Sequence, residues 1–224
     1  MNEECKKTAR TLAIYGDSIS TRDYGEGGYE AMLSQQLKIG TVYNHSVGAS
    51  AITQGTPDCL IDALADKKVL HSDADVTLLW RGTNDWYWGA PLGVPGDRNL
   101  HTFYGAVEEC VRILQQASPL GVLLCALPLY RYQAPDGSTR IGEAWVTPNK
   151  RGLTMRDYDG ALREVCRRLC VPVVDMRVET GINAANAPQL LQDFVHPSKQ
   201  GYLRVCSVLC RHIKALTGWG APLG

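Results

Sequence analysis

Ser18, Gly48, Asn84, Asp193 and His196 are the residues of this chain whose types and surroundings allow chemistry. Ser18 stands in Gly16-Asp17-Ser18-Ile19-Ser20, directly after the apolar run Leu12-Ala13-Ile14. A serine hydroxyl is a weak nucleophile until a neighbouring base takes its proton. His196, in Asp193-Phe194-Val195-His196-Pro197, is the candidate base. Asp193 lies three residues earlier, so on a helical or turn backbone both side chains project from the same side. Its carboxylate can then hold one imidazole nitrogen and leave the other facing Ser18, fixing the tautomer and stabilising the imidazolium. The backbone N–H groups of Ser18 and Gly48 and the side-chain amide of Asn84 are three candidate donors to a tetrahedral oxyanion. Loss of one such donor costs about 3–4 kcal/mol of transition-state stabilisation. Each residue also has a plain structural reading. Gly-Asp-Ser is an ordinary turn or helix cap, Asn84-Asp85 a turn after a strand, Gly48 a backbone necessity and Asp193 a cap for the last helix. The elements that carry these residues decide between the two readings.

Five short apolar runs read as strands, at residues 11–15, 41–45, 75–80, 121–127 and 171–175. Between them, 3.6-residue periodicity predicts helices over 29–38, 57–69, 100–117 and 156–169, and a final helix over 198–216. Short apolar strands alternating with helices call for a parallel sheet covered on both faces. With right-handed crossovers this is an α/β fold, a three-layer α/β/α flavodoxin-like domain with strand order 2-1-3-4-5. No repeat or linker interrupts residues 1–224, so the chain reads as a single domain. Ligands of such sheets bind outside the carboxyl ends of the strands. Ser18 follows the first strand, Gly48 the second and Asn84 the third, while Asp193 and His196 precede the last helix. All five therefore fall at one end of one sheet, a coincidence that the separate structural readings do not explain.

These residues resemble the motif blocks of the SGNH (GDSL-type) hydrolase family. Gly16-Asp17-Ser18-Ile19-Ser20 resembles the nucleophile block, Gly48 the glycine block, Gly82-Thr83-Asn84-Asp85 the asparagine block and Asp193-Phe194-Val195-His196-Pro197 the D-x-x-H-P block. The four occur in order across nearly the whole chain. The resemblance implies a flavodoxin-like fold and metal-free ester hydrolysis through an acyl-enzyme, without a cofactor. It also implies Ser18 as nucleophile, His196 as base, Asp193 as its orienter, and Ser18, Gly48 and Asn84 as oxyanion donors. A G-x-S-x-G elbow is absent because position 20 is Ser, which disfavours the larger α/β-hydrolase fold. Arg81 departs from the pattern, standing where the family often has a small or apolar residue.

Two stretches at the same sheet end are candidates for contacting substrate. Residues 86–99 read as irregular and begin with Trp86, Tyr87 and Trp88; residues 129–156 form a long aperiodic loop holding Tyr130, Arg131, Tyr132 and Trp145. Asp17, Trp86, Tyr87, Trp88, Tyr130 and Trp145 are accordingly the expected substrate-binding residues. Such aromatics stack on a sugar ring or line an acyl or aryl pocket, and some of them serve packing alone. The favoured substrate is a small soluble ester with a short acyl group, above all an O-acetyl ester of a carbohydrate. A lysophospholipase or acyl-thioesterase, and a binding module without turnover, are the alternatives.

Composition sets the outer limits. Lys+Arg and Asp+Glu both number 23, so the formal net charge of zero argues against nucleic acid and anionic membranes as main partners. With 45% hydrophobic residues a sizeable core needs no staple of disulfides or metal. Eight cysteines include no C-x-x-C pair; Cys166/Cys170 and Cys206/Cys210 are spaced for one helix face and read as small buried hydrophobes, with no metal site expected. Residues 1–10 are polar and carry no apolar leader, and no run is long enough to span a bilayer, so a cytoplasmic protein is expected.

Overall fold

A computed structural model describes residues 9–219. Its centre is β1 (Arg10–Gly16), buried from Thr11 onward. β1 pairs in parallel with β2 (Ile39–Asn44) and β3 (Val76–Trp80); β3 pairs with β4 (Val122–Ala126), and further strands follow. A hairpin of β5 (Tyr132–Gln133) and β6 (Gly142–Glu143) stands apart, and β7 (Val173–Val174) completes the main sheet beside β4. The order β2-β1-β3-β4-β7 is the expected 2-1-3-4-5 when only the main sheet is numbered.

Side-chain alternation along β1 assigns the layers. Leu12 and Ile14 join Leu33, Leu37, Val205 and Leu209 in one apolar cluster, built with α1 (Glu30–Leu37) and the last helix. Ala13 and Tyr15 join Phe103, Val107, Leu162 and Val165 in the other, built with two of the intervening helices. Each fully buried Leu, Ile or Phe contributes about 1.5–3 kcal/mol, so both faces of the sheet are strongly anchored.

Register brings the functional ends together. Gly16 pairs with Trp80, and Ile14 with both Asn44 and Leu78. The chain therefore leaves β1, β2 and β3 at one edge, with Ser18, Gly48 and Asn84 two to four residues beyond. Gly16 tolerates no side chain, because a Cβ there would lie 2.3 Å from both Cβ and Oγ of Ser20.

Several local expectations are corrected. The expected helix over 57–69 is two short turns, α2 (Leu60–Ala63) and a 3-10 turn at Lys67–Val69. Apolar periodicity stops at Leu64, and the Asp66 carboxylate takes the Lys68 N–H to start a separate turn. The aromatic trio is not irregular but lies in α3 (Thr83–Trp88), which begins at Gly82 with φ 118° and ends at Gly89 with φ 69°. Downstream come α4 (Phe103–Ala117), α5 (Met155–Arg168), α6 (Met176–Glu179), α7 (Ala187–Leu190) and α8 (Lys199–Thr217). The short helices α6 and α7 stand between the fifth apolar run and the last helix, where no helix is expected, and the β5–β6 hairpin occupies the loop read as aperiodic. Of the cysteines in the described residues, Cys170 is exposed and the rest are buried; Cys5 lies outside them. Among the described residues no helix is long and apolar enough to cross a membrane.

Candidate active site

Beyond β1, Asp17 caps the 3-10 turn Ser18–Ser20: its carboxylate accepts the Ile19 N–H at 3.0 Å, and its carbonyl accepts the Ser20 N–H. Asp17 is 2% exposed and faces inward, not toward the cleft, so its expected role in substrate binding is corrected to bracing the turn. Burial raises its pKa, against the lowering influence of the Ile19 N–H and the charges of Arg81 and Arg131.

The segment before α8 is closed by a bridge between Leu191 and Pro197 and by the Gln192 N–H on the His196 carbonyl. Inside this loop Asp193 accepts the N–H groups of Val195 (3.1 Å) and His196 (2.8 Å) on one carboxylate oxygen. Phe194 adopts φ 63°, a left-handed conformation uncommon for a bulky residue, so that the turn can close. The second carboxylate oxygen lies 2.6 Å from His196 Nδ1, and His196 Nε2 lies 2.8 Å from Ser18 Oγ. Burial alone would raise the Asp193 pKa, but the hydrogen bonds and charge of His196 hold it below the ordinary carboxylate value. Facing an ionised carboxylate, Nδ1 carries the ring proton, and Nε2 is left to accept the Ser18 O–H. The Tyr24 ring stacks face to face on the imidazole, with centroids 3.7 Å apart, and fixes its plane.

Gly48 sits on the loop after β2. The Val47 N–H donates to the Gly16 carbonyl, which ties this loop to the Ser18 turn. Asp85 accepts the N–H groups of Ile52 and Thr53 and the Thr53 hydroxyl; burial pushes its carboxyl up to about 6. Arg81, 2% exposed, donates to the carbonyls of His45, Ala51 and Asp58, and its Nε is a buried polar atom without a partner among the described residues. Among those residues no protein acceptor takes the N–H of Ser18 or of Gly48. Asn84 Nδ2 donates one hydrogen to the Ser50 carbonyl at 2.9 Å, leaving the other free, while Asn84 Oδ1 accepts from Arg131 Nη1 at 3.1 Å.

Ser18, Gly48, Asn84, Asp193 and His196 together line one cleft of about 470 Å³. A larger cavity of about 660 Å³ near Tyr15, His45, Cys59 and Arg81 contains none of the five. The hydrogen-bonded convergence of a serine, a histidine and a carboxylate beside free N–H donors, not volume, marks the candidate site. Tyr87 and Trp88 line the cleft as expected, packed edge to face at 4.7 Å. Trp86, Tyr130 and Trp145 do not line it. One helical step turns Trp86 into the core, where it is fully buried and its indole N–H reaches the Thr147 carbonyl. Tyr130 is 3% exposed in the opposite core, and Trp145 packs under the Arg177 guanidinium at 4.6 Å. Tyr24 and Gln133 are lining residues outside the expected set, and Arg131, named from the sequence among the loop residues able to contact substrate, also lines the cleft. Among the described residues no group of three or more His, Cys, Asp or Glu is placed to hold a metal ion.

This sheet order defines a three-layer α/β domain of the flavodoxin-like kind, with its cleft at the carboxyl ends of the strands. The sequence matches the GDSL-like lipase/acylhydrolase family over residues 14–204, and the chain belongs to that family, whose general chemistry is ester hydrolysis. No curated protein matches it. Among solved structures it is similar to a Lactobacillus plantarum protein (23% identity, TM-score 0.82, 92% of this chain and 97% of that one). It is similar also to a possible lipase from Chitinophaga pinensis (19% identity, TM-score 0.72, 92% and 98%). An acetyl xylan esterase shares the fold at 19% identity, with a TM-score of 0.61 over 91% of this chain and 99% of its own.

Proposed function

We propose that the protein is a serine esterase that hydrolyses short acyl esters, with a carbohydrate O-acetyl ester as the favoured substrate. The observation that carries this reading is the chain of hydrogen bonds from Ser18 Oγ to His196 Nε2 and from His196 Nδ1 to Asp193, beside three unengaged donors. In the reaction His196 takes the Ser18 proton as Oγ bonds to the ester carbonyl carbon. The carbonyl oxygen becomes an oxyanion and is received by the N–H groups of Ser18 and Gly48 and by Asn84 Nδ2. Collapse breaks the bond to the alkoxy group, which leaves as the alcohol with the proton from His196. Water then repeats the sequence on the acyl-serine: His196 accepts its proton, the acid departs, and Ser18 regains its hydrogen.

A short acyl group and a polar alcohol suit a cleft of about 470 Å³ that combines Tyr87 and Trp88 with Asp23, Gln133 and Arg131. The acetyl xylan esterase among the structural relatives supports the same substrate class. A fluorophosphonate probe tests the nucleophile: wild type is labelled and Ser18→Ala is not, and equal labelling of both refutes the reading. Acetyl, butyryl and octanoyl nitrophenyl esters test the acyl preference, which is for acetyl; an optimum at octanoyl would move the assignment to longer acyl chains.

A further inference from the structure

Arg131 is 6% exposed, yet it reaches the floor of the cleft. All three of its guanidinium nitrogens are engaged by protein acceptors. Nη1 donates to Asn84 Oδ1 (3.1 Å), Thr83 Oγ1 (3.1 Å) and the Thr83 carbonyl (3.2 Å); Nε and Nη2 donate to Gln133 Oε1. The group also lies over the rings of Tyr87 and Trp86, 4.8 and 5.4 Å from their centroids. Four of its five N–H groups are thus spent on fixed protein acceptors, and only one on Nη2 is left. Its partners point to the amide beside it.

We propose that Arg131 is a positioning residue that sets the orientation and donor strength of the Asn84 amide toward the oxyanion, an inference resting on the serine-esterase reading above. The amide has no freedom to turn. A guanidinium only donates and the Ser50 carbonyl only accepts, so Oδ1 must face Arg131 and Nδ2 must face Ser50. A flipped amide would set NH2 against guanidinium and C=O against C=O, two repulsive contacts in a buried place. With Nδ2 so fixed, its second hydrogen is the one left for the cleft. The cation on Oδ1 also draws electron density across the amide and strengthens that N–H as a donor, as charge-assisted chains do in a low-dielectric setting. Gln133 holds the far side of the fork and the two aromatic rings hold its plane, so the guanidinium cannot swing away from Asn84. Burial lowers the Arg131 pKa to about 10, which leaves it a cation at neutral pH.

The test is a double-mutant cycle on nitrophenyl acetate turnover. Arg131→Met is expected to lower kcat about 10–100-fold, bounded by the effect of losing a whole donor, with KM within about 3-fold of wild type. In an Asn84→Ala background, where no amide remains to orient, the same substitution should change kcat by less than about 3-fold. If Arg131→Met does not fold, Gln133→Ala frees the far side of the fork and is expected to lower kcat about 2–10-fold, with the same collapse of effect beside Asn84→Ala. A wild-type kcat in the folded position-131 variant, or in Gln133→Ala where that one stands in, would overturn the proposal. So would a kcat loss that persists undiminished in the Asn84→Ala background. Those results leave Ser18 untouched; turnover retained by Ser18→Ala, or none by wild type, would instead remove the serine-esterase reading itself.

Discussion

Replacing Asp193 by Asn separates the shape of the acid from its charge. One Asp193 oxygen accepts two backbone N–H groups, from Val195 and His196, and the other faces His196 Nδ1 at 2.6 Å. In Asp193→Asn the loop still needs an acceptor for those two N–H groups, so the amide oxygen stays there. The NH2 is thereby directed at Nδ1. An amide NH2 only donates, so the imidazole must present a bare Nδ1 and carry its proton on Nε2. Nε2–H then points at Ser18 Oγ and cannot take its proton. The same inversion of tautomer costs about 10⁴ in kcat in the serine-protease triad, or about 5.5 kcal/mol at 1.36 kcal/mol per decade. A loss of that order is expected here, with the melting temperature near wild type because the loop keeps its hydrogen bonds. Asp193→Ala should show the opposite balance: the loop loses its acceptor and some stability, while the ring is free to choose the productive tautomer. Steady-state kcat on nitrophenyl acetate, beside thermal melts of the three proteins, is the assay. An Asp193→Asn enzyme retaining more than about a tenth of wild-type kcat would refute this account of the His196 tautomer.

Asn84→Ala should lower kcat by about 10²–10³ with little change in KM, read from saturation curves, since its free N–H is needed most once the oxyanion forms. The adjacent tryptophans should part company: Trp86→Ala costs about 3–5 kcal/mol in urea unfolding, as for other buried aromatics, whereas Trp88→Ala, at the cleft, should act mainly on KM. Asp85 gives a pH signature. Its folded pKa is raised from 3.8 to about 6, so its contribution to stability is greatest below the unfolded value and is lost as pH rises through 6. The unfolding free energy of wild type relative to Asp85→Asn, from urea melts, should therefore fall between pH 4 and 7 by at most ~3 kcal/mol; a flat or rising difference would contradict the assignment.

The parallel sheet was legible because buried strands leave short apolar runs and their order follows from handed crossovers. The five candidate site residues could be singled out because each stands within a few residues of a strand's carboxyl end or of the start of the last helix. What stayed hidden depended on direction rather than on position. Trp86, Tyr87 and Trp88 are indistinguishable as types, and only the helical step begun at Gly82 sends the first into the core and the other two to the cleft. Tyr130 and Trp145 lie in a long loop whose hairpin turns them away from the site. The helix expected over 57–69 failed for a local reason, the Asp66 cap. Tyr24 gave no periodic signal, because stacking on His196 joins residues far apart in sequence.

The buried charges beneath the site follow one logic. Asp17, Arg81, Asp85 and Arg131 are all at most 6% exposed, two of each sign. Burial raises the pKa of each acid and lowers that of each base, the cost of removing a charge from water. Such groups are weak sources of stability, since apolar residues of similar volume often serve as well or better. Their partners here share a destination. Asp17 holds the Ile19 N–H beside Ser18; Asp85 holds Ile52 and Thr53, and Arg81 holds His45 and Ala51, on the loop that carries Gly48. Arg131 holds Asn84. Each of the three donors proposed for the oxyanion is thus braced by a buried charge hydrogen-bonded to its own loop or side chain. An apolar replacement could fill the same space but could not aim an N–H. Arg81, the departure from the family pattern, thus braces the loop that carries Gly48 through the His45, Ala51 and Asp58 carbonyls, and on the proposed mechanism its replacement should act on that loop before it acts on the packing of β3.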